Sequence, residues 1–464
     1  MTLYTGLVHA ITVVVVLAIH TTACGRIGFE VGSANDDAAG GGDGGVDPSM
    51  IEVRLLGEGD TPEEGQPIAN ATVMFVGLES VVRTTDADGI ARATVSGPTT
   101  IHAGYPAMLP ADPIPVEGWR YYTVVDVAGG SAVTIGSVPP PVIDVVTITV
   151  NVPGFLGASR YELSGPRRCG IDDSSPNNTV VSAINGCTGE TIPIFATAYN
   201  GTAKAGWLDA GLRVASDGAT YTTGATWQTY GTQRVTYPGV PSSIFIAASL
   251  ASETGSDRVT LGEAGDPGAA GNHVDTILVS GGSIDVIEVE YTTGLADSIA
   301  VLAEPAPLEV GGIRTFDTSR LMQVVDVVTP TNDGLTWTLL PVARVSTAIL
   351  AGLRYTTTGG VPVAWSFATR GDTTSIGVPA LPAPLDGLAP DPSTFSGVFA
   401  NVASGTLDYN DLVPQLLRPA QDVVALAELP IGSAIGLASL GMVTSVARSR
   451  VEQRARRAIT RAAE

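Results

Sequence analysis

The 464-residue chain has little charge and few aromatic rings, and its charge is one-sided. Charged residues make up 15% and aromatic residues 6%, against 44% hydrophobic residues. A chain with so much apolar material to bury is not intrinsically disordered. Lysine and arginine number 24 against 46 acidic residues, which gives a net charge of −22. Because such a surface repels nucleic-acid phosphates, we expect no nucleic acid among its partners.

Histidine is also scarce. Two of the four histidines, His9 and His20, lie in the N-terminal apolar region, which leaves His102 and His273. Two histidines cannot complete a three-histidine zinc site, and neither His-Glu-x-x-His nor Gly-x-Ser-x-Gly occurs. The sequence therefore predicts a non-enzymatic protein with no cofactor, no metal and no catalytic residue. A glycosidase, which needs only two carboxylates, remains formally open.

The N-terminus carries an apolar run, Ile11–Ile19, that is too short for a membrane span of about 20 residues. Residues 1–23 contain no charged side chain, and we interpret them as a secretory signal. The small residues before Cys24 resemble the lipobox of bacterial lipoproteins. That resemblance implies cleavage before Cys24 and attachment of lipid, such as palmitate, to this residue. Gly25, where inner-membrane lipoproteins often carry Asp, then implies the outer membrane. The alternative is an ordinary signal peptide cut nearby, with Cys24 unmodified.

Residues 24–49 are rich in Gly, Asp and Ala and have nothing to bury, so we expect a flexible tether. Two of the three cysteines remain for the exported chain, Cys169 and Cys187. An even pair in an oxidising compartment predicts a disulfide.

From residue 50 to about 410 the sequence shows short β-branched runs rather than helical periodicity. Turn-forming residues interrupt these runs about every ten positions. This pattern predicts an all-β protein of consecutive antiparallel β-sandwich domains. The predicted strands are Ile51–Leu55, Ala71–Val76, Ile90–Val95, Tyr121–Val127, Val145–Val150, Ile192–Ala198, Ser243–Ala247, Ile284–Tyr291 and Leu335–Leu340.

Residues 50–138 carry a family resemblance. Gly65–Phe75 leads into a strand, Thr84–Val95 contains the turn Asp86-Ala-Asp-Gly89, and Thr99–Gly104 follows. This order resembles the carboxypeptidase regulatory-like domain, a seven-stranded transthyretin-like or Ig-like sandwich. The resemblance implies a structural or accessory module without catalytic residues. Asp86 and Asp88 could hold calcium, although a structural turn is the simpler interpretation.

Two further segments follow. Pro139–Pro141 marks the start of a second β-domain over 139–294, which contains the predicted disulfide. Residues 295–464 form the third β-rich domain, and their proline-rich stretch 379–392 predicts an exposed connection. From Met442 onward six arginines accompany two glutamates, and this basic segment suits either an amphipathic helix or a strand. A Tyr-Thr-Thr-Gly pattern near Tyr221, Tyr291 and Tyr355 suggests repeated hairpins.

Two aromatic groups are candidates for a ligand platform: Trp119 with Tyr121, and Trp227 with Tyr230. The sequence as a whole predicts a lipid-anchored cell-envelope protein, in the outer membrane and facing the periplasm or the exterior. Its sandwiches would serve as non-catalytic structural or adhesive domains, with the membrane and envelope proteins as partners. The alternative is a lipoprotein that binds carbohydrate or peptidoglycan, with cell-wall glycan as its partner.

Overall fold

The structure is a computed structural model. It describes residues 49–58, 65–109, 114–136, 145–166, 169–185, 187–240, 244–254, 257–263, 271–279, 283–293, 299–309, 313–378, 381, 383, 385–404, 407–416 and 433–440. Cys24, the signal, nearly all of the tether and the basic C-terminal segment lie outside these ranges. No helix among the described residues is long and apolar enough to cross a membrane.

The prediction of an all-β sandwich fold is confirmed. Each of the nine predicted strand segments overlaps an observed strand, and most of the strand pairs are antiparallel. The described residues contain 28 strands and one α-helix, α1 (Tyr409–Leu416). The strands fall into four consecutive groups of seven, which we call units 1 to 4.

Unit 1 consists of β1 (Met50–Leu55), β2 (Thr72–Val76), β3 (Ser80–Thr84), β4 (Ile90–Thr94), β5 (Thr99–Leu109), β6 (Val116–Val127) and β7 (Ala132–Ile135). One sheet has the order β4-β1-β7, and the strands β3-β2-β5-β6 form the facing layer. Alternate residues of β1, such as Ile51 and Val53, share a buried core with Val73 and Phe75 of β2. Alternation of buried and exposed side chains therefore produces a two-layer sandwich.

Unit 2 consists of β8 (Val145–Asn151), β9 (Arg160–Ser164), β10 (Asp172–Ser175), β11 (Thr179–Asn185), β12 (Thr191–Asn200), β13 (Ala203–Val214) and β14 (Ala219–Thr222). Its two sheets have the orders β11-β8-β14 and β10-β9-β12-β13. Ile148 and Ile194 lie in one buried core with Cys169 and Cys187. The predicted disulfide between these cysteines is present and closes a sequence separation of 18 residues.

Unit 3 consists of β15 (Gly231–Val240), β16 (Ile244–Thr254), β17 (Asp257–Glu263), β18 (Gly271–Val279), β19 (Ser283–Thr293), β20 (Ile299–Glu309) and β21 (Ile313–Thr315). Its strand orders are β18-β15-β21 and β17-β16-β19-β20, and a short β17–β18 pairing joins them. Buried Tyr291 donates a hydrogen bond to Met322 O at 2.7 Å, which fixes the chain that leads into unit 4.

Unit 4 consists of β22 (Val325–Thr331), β23 (Gly334–Leu339), β24 (Ala348–Thr356), β25 (Pro362–Arg370), β26 (Ser375–Gly377), β27 (Ser396–Ala403) and β28 (Ala434–Leu440). Its strand orders are β22-β23-β26 and β25-β24-β27-β28. The ring of Trp337 stacks on Phe367, with 5.9 Å between centroids, and also contacts Phe399.

The four units repeat one topology. In units 1 to 3 the first strand pairs antiparallel with the fourth and parallel with the seventh, as in β1 with β4 and β7. The third, second, fifth and sixth strands lie side by side in that order. Unit 4 keeps this order with β23 as its first strand, except that the preceding strand β22 takes the seventh position and runs antiparallel. The chain is therefore a tandem array of one sandwich design.

Edge-to-edge pairing joins three of these units. Strands β20 and β28, the sixth strands of units 3 and 4, pair antiparallel. The third strand of unit 4, β25, pairs parallel with the sixth strand of unit 1, β6. The result is one 15-stranded sheet that runs through units 3, 4 and 1. Within the described residues, no ladder connects unit 2 to this sheet.

The domain boundaries 50–138, 139–294 and 295–464 remain a prediction, because strand pairing alone does not define domains. Strands β19 and β20, which lie on opposite sides of the predicted boundary at 294/295, are hydrogen-bonded neighbours.

Two further details of the sequence analysis differ from expectation. The proline-rich stretch is not simply exposed, because its Leu385 and Leu388 are buried in the core of unit 4. Tyr221, Tyr291 and Tyr355 occupy the seventh, fifth and second strands of their units. The Tyr-Thr-Thr-Gly pattern therefore does not mark the repeat.

Candidate functional site

Trp119 and Tyr121, the first predicted platform, lie on the same face of β6. Tyr121 is fully buried, and its ring stacks on His102 with 6.0 Å between centroids. Trp119 is half-buried and packs against the core of unit 4. Of this pair, only Trp119 reaches the surface.

His102, the one histidine whose side chain the structure describes, belongs to a buried cluster. Its Nδ1 lies 2.7 Å from Tyr121 Oη and 3.2 Å from Thr123 Oγ1. Trp365 of β25 donates from Nε1 to the same Thr123 Oγ1. Burial lowers the pKa of His102 to about 4, so the ring is neutral at pH 7. The cluster thus connects β5, β6 and β25 through uncharged groups.

Trp227 and Tyr230, the second predicted platform, lie in unit 2, in the segment 223–230 that follows β14. We call this segment the strap. Trp227 donates from Nε1 to Pro153 O at 2.8 Å, and its ring contacts Phe155 and Tyr161. Tyr230 Oη lies 2.9 Å from Thr197 Oγ1. Both aromatic residues are half-buried and attach the strap to the sandwich.

Trp207 of β13, which the sequence analysis did not select, fastens the strap further. Its backbone N–H donates to Gln228 O at 3.0 Å, and Gln228 N–H donates back at 2.8 Å. Its indole donates to Thr229 O at 3.1 Å. The strap therefore covers the outer edge of β13, the edge that sixth strands use for pairing in the other units.

A polar group beside the strap was also missed from sequence. The Arg160 guanidinium lies 4.1 Å from the centroid of the Tyr199 ring and 3.3 Å from a Glu162 oxygen. Burial, with Glu162 nearby, raises the pKa of Tyr199, and burial raises the pKa of Tyr230 to about 12. Both phenols are therefore neutral donors at pH 7. Alternation along 160–164 and 191–200 could have placed Arg160, Glu162 and Tyr199 on one outward face.

Rings, neutral hydroxyls and a paired charge are chemically suited to contacts with saccharides, and Arg160, Glu162 and Tyr230 reach the surface here, whereas Tyr199 and Trp207 are buried. This aromatic face of unit 2 comprises Arg160, Glu162, Phe195, Thr197, Tyr199, Trp207 and Tyr230. The two predicted platforms lie in different units, and only Tyr230 of the predicted residues belongs to this face.

Asp86 acts in a turn. Its Oδ1 accepts hydrogen bonds from the backbone N–H groups of Asp88 at 3.0 Å and Ile90 at 2.9 Å. Gly89 completes the turn with φ of +72°, a conformation that favours glycine. Among the described residues, no group of three or more His, Cys, Asp and Glu side chains could hold a metal ion.

Comparison with known proteins is weakly informative. No family model and no curated protein matches the chain. The TIE protein of Bacillus anthracis is similar at 12% identity and a TM-score of 0.13, over 57% of this chain and 49% of that protein. A candidate cell adhesion protein of Bacteroides ovatus is similar at 11% identity and a TM-score of 0.15, over 63% of this chain and 95% of that protein. The chain thus matches about half the length of the first, and likenesses this low carry no argument about function.

Proposed function

We propose that the chain is an exported, lipid-anchored cell-envelope protein whose tandem sandwiches serve a structural or adhesive role without catalysis. The repeated sandwich supports this proposal most directly, because one topology serves four times as a building block. The Cys169–Cys187 disulfide supports export, since such bonds persist in oxidising compartments. The lipobox-like sequence before Cys24 supports the anchor, and Gly25 supports the outer membrane.

Unit 1 is proposed to be a carboxypeptidase regulatory-like domain. Its seven strands in two layers agree with that family's fold. The motif residues Thr84–Val95 run from the last residue of β3 through a turn, where Asp86 accepts backbone hydrogen bonds, into β4.

Metabolic labelling with a fatty-acid analogue tests the anchor. We expect label on the unaltered protein, and we expect Cys24→Ala to abolish label and to release the protein from the membrane fraction. A Cys169→Ala/Cys187→Ala variant controls for other thiols and should keep its label. Undiminished labelling of Cys24→Ala would overturn the lipid anchor.

The single lysine of the chain, Lys204, provides a test of export. It is exposed at the start of β13. An impermeant amine-reactive reagent should modify Lys204 on intact cells if unit 2 faces the exterior, or after the outer membrane is opened if it faces the periplasm. Lys204→Arg should remove this modification. Labelling that requires lysis of the inner membrane would contradict export.

A carbohydrate- or peptidoglycan-binding role is the second candidate, and the aromatic face of unit 2 favours it. A glycan array and a cell-wall pull-down test it with Arg160→Ala and Tyr230→Ala in unit 2, and with Trp119→Ala as the matched change in unit 1. Specific binding that is lost only in the unit 2 variants, with thermal unfolding unchanged in Arg160→Ala, supports this role. If the unaltered chain binds no glycan, the candidate is removed.

A further inference from the structure

We propose that unit 2 is a load-bearing element, built to resist a pulling force applied between its two ends. Its first and last strands, β8 and β14, are parallel neighbours in one sheet. This inference goes beyond the proposed function, because it holds whether or not Cys24 carries a lipid.

The direction of the two strands decides how a force acts. Ala219 lies opposite Ile148, and Thr222 lies opposite Asn151. The chain enters β8 at Val145, at one end of the pair, and leaves β14 after Thr222, at the other end. A pull on the two chain ends therefore drives β8 and β14 past each other along their length.

Hydrogen bonds in this geometry share the load. They run across a pair of strands, so sliding strains them together, whereas separation from one end breaks them in turn. Bonds flank both ends of the pair: Gly218 N–H donates to Thr147 O at 2.8 Å, and Thr223 N–H donates to Asn151 O at 3.0 Å.

The core beneath the pair opposes sliding as well. Ile148 and Val150 are completely buried, and Tyr221 of β14 packs against the same core. Because side chains alternate between faces, a slip by one residue would turn buried side chains of one strand toward solvent. A one-residue shift therefore cannot restore the hydrogen bonds and keep those side chains in the core.

The strap adds a step that precedes rupture of the β8–β14 pair. A force that arrives from unit 3 first reaches the strap, which is held by the backbone and indole hydrogen bonds of Trp207, the Tyr230 hydroxyl and the indole of Trp227. Because these contacts lie between unit 3 and β14, we expect them to yield before the β8–β14 pair is loaded. Units 1 and 3 have the same parallel pairing in β1–β7 and β15–β21, but they are also joined sideways through the 15-stranded sheet.

Single-molecule pulling on the full chain, with Cys24→Ala to remove a competing thiol, tests the proposal. Handles attached through Val145→Cys and Gly224→Cys pull at opposite ends of the pair. Handles at Val145→Cys and Ser216→Cys pull at the same end and form the matched control. Val145 is 57% exposed, Ser216 is exposed, and a Cβ at Gly224 meets open space, so all three positions accept a handle.

We expect the opposite-end geometry to rupture at a force about twofold higher or more than the same-end geometry at equal loading rate. Rupture with opposite-end handles should release roughly 200 Å of chain while the disulfide is closed, and roughly 60 Å more after reduction. The additional length released after reduction shows that the rupture occurs in unit 2, because the disulfide of this unit spans 18 residues. Equal rupture forces in the two geometries, or a higher force in the same-end geometry, would overturn the proposal.

Discussion

Trp365 donates a hydrogen bond from its indole Nε1 to Thr123 Oγ1 at 3.1 Å, although 242 residues separate the two along the chain. Trp365 also packs on Tyr121 with 5.9 Å between ring centroids. The strands that carry these residues, β25 and β6, run parallel and join unit 4 to unit 1. The hydrogen bond therefore lies at the seam between units 4 and 1, and two predictions concern this seam.

Thr123→Val should destabilise the seam. The change preserves shape but leaves the buried Trp365 N–H without its acceptor, at a cost of about 1–3 kcal/mol in unfolding free energy. Urea denaturation measures this loss of unfolding free energy. Thr94→Val, at an exposed position of β4, is the control and should stay within about 0.5 kcal/mol of the unaltered protein. An unchanged unfolding midpoint for Thr123→Val would contradict the assigned hydrogen bond.

Stability should depend on pH through His102. Burial holds its folded-state pKa near 4, below the ordinary 6.5, so the unfolded chain takes up the proton first. The contribution of neutral His102 to the free energy of unfolding is therefore fully present above pH 6.5, and it is lost as the pH falls toward 4. Between pH 7 and 5 we expect a loss of about 2 kcal/mol. In His102→Gln this part of the pH dependence should be absent, and equal slopes for the two proteins would contradict the prediction.

The part of β13 beyond the strap contact at Trp207 should pair more readily with another strand when its side-chain caps are removed. Asp209 Oδ1 accepts from Gly211 N–H at 2.7 Å, and Arg213 donates to Leu212 O at 2.9 Å. Such caps occupy groups that another strand could otherwise pair with. Asp209→Ala/Arg213→Ala leaves the net charge unchanged and should raise the dimer fraction in sedimentation velocity at equal concentration. Lys204→Ala, on the same strand, is the control and should behave like the unaltered chain.

Loss of the disulfide should weaken unit 2. By the chain-entropy estimate, replacing Cys169 and Cys187 with alanine costs about 3 kcal/mol. Limited proteolysis should then cut within 145–222 first, while the shared sheet of units 1, 3 and 4 stays protected. Equal protection of unit 2 in both forms would show that the disulfide contributes little.

The sequence was sufficient for the fold class because alternation is a local property. Ile51 and Val53 point inward and Glu52 outward, and that pattern needs no knowledge of distant strands. The topology was not predictable in the same way. The pairing of Tyr121 with Trp365 depends on a contact across most of the chain, and neither strand carries a local signal for it.

The candidate site shows the same limit. Trp227 and Tyr230 stand out as aromatic residues, but their role as strap anchors depends on partners such as Pro153 and Thr197. Trp207 is an equally conspicuous aromatic residue in the sequence, yet only the structure shows that its backbone pairs with Gln228. The sequence therefore identified the relevant aromatic residues but could not show which residues they contact.

The parallel pairing of β6 with β25 also means that β6 is synthesised long before its partner strand. Strand β6 is complete at Val127, but its partner ends only at Arg370. At 5–20 residues per second, the ribosome needs roughly 10–50 s to supply the intervening chain. During that delay one side of a 12-residue strand lacks the neighbour it has in the finished sheet, and such an edge is a template for incorrect pairing. A holding chaperone that covers β6 would protect the nascent protein until its last unit arrives.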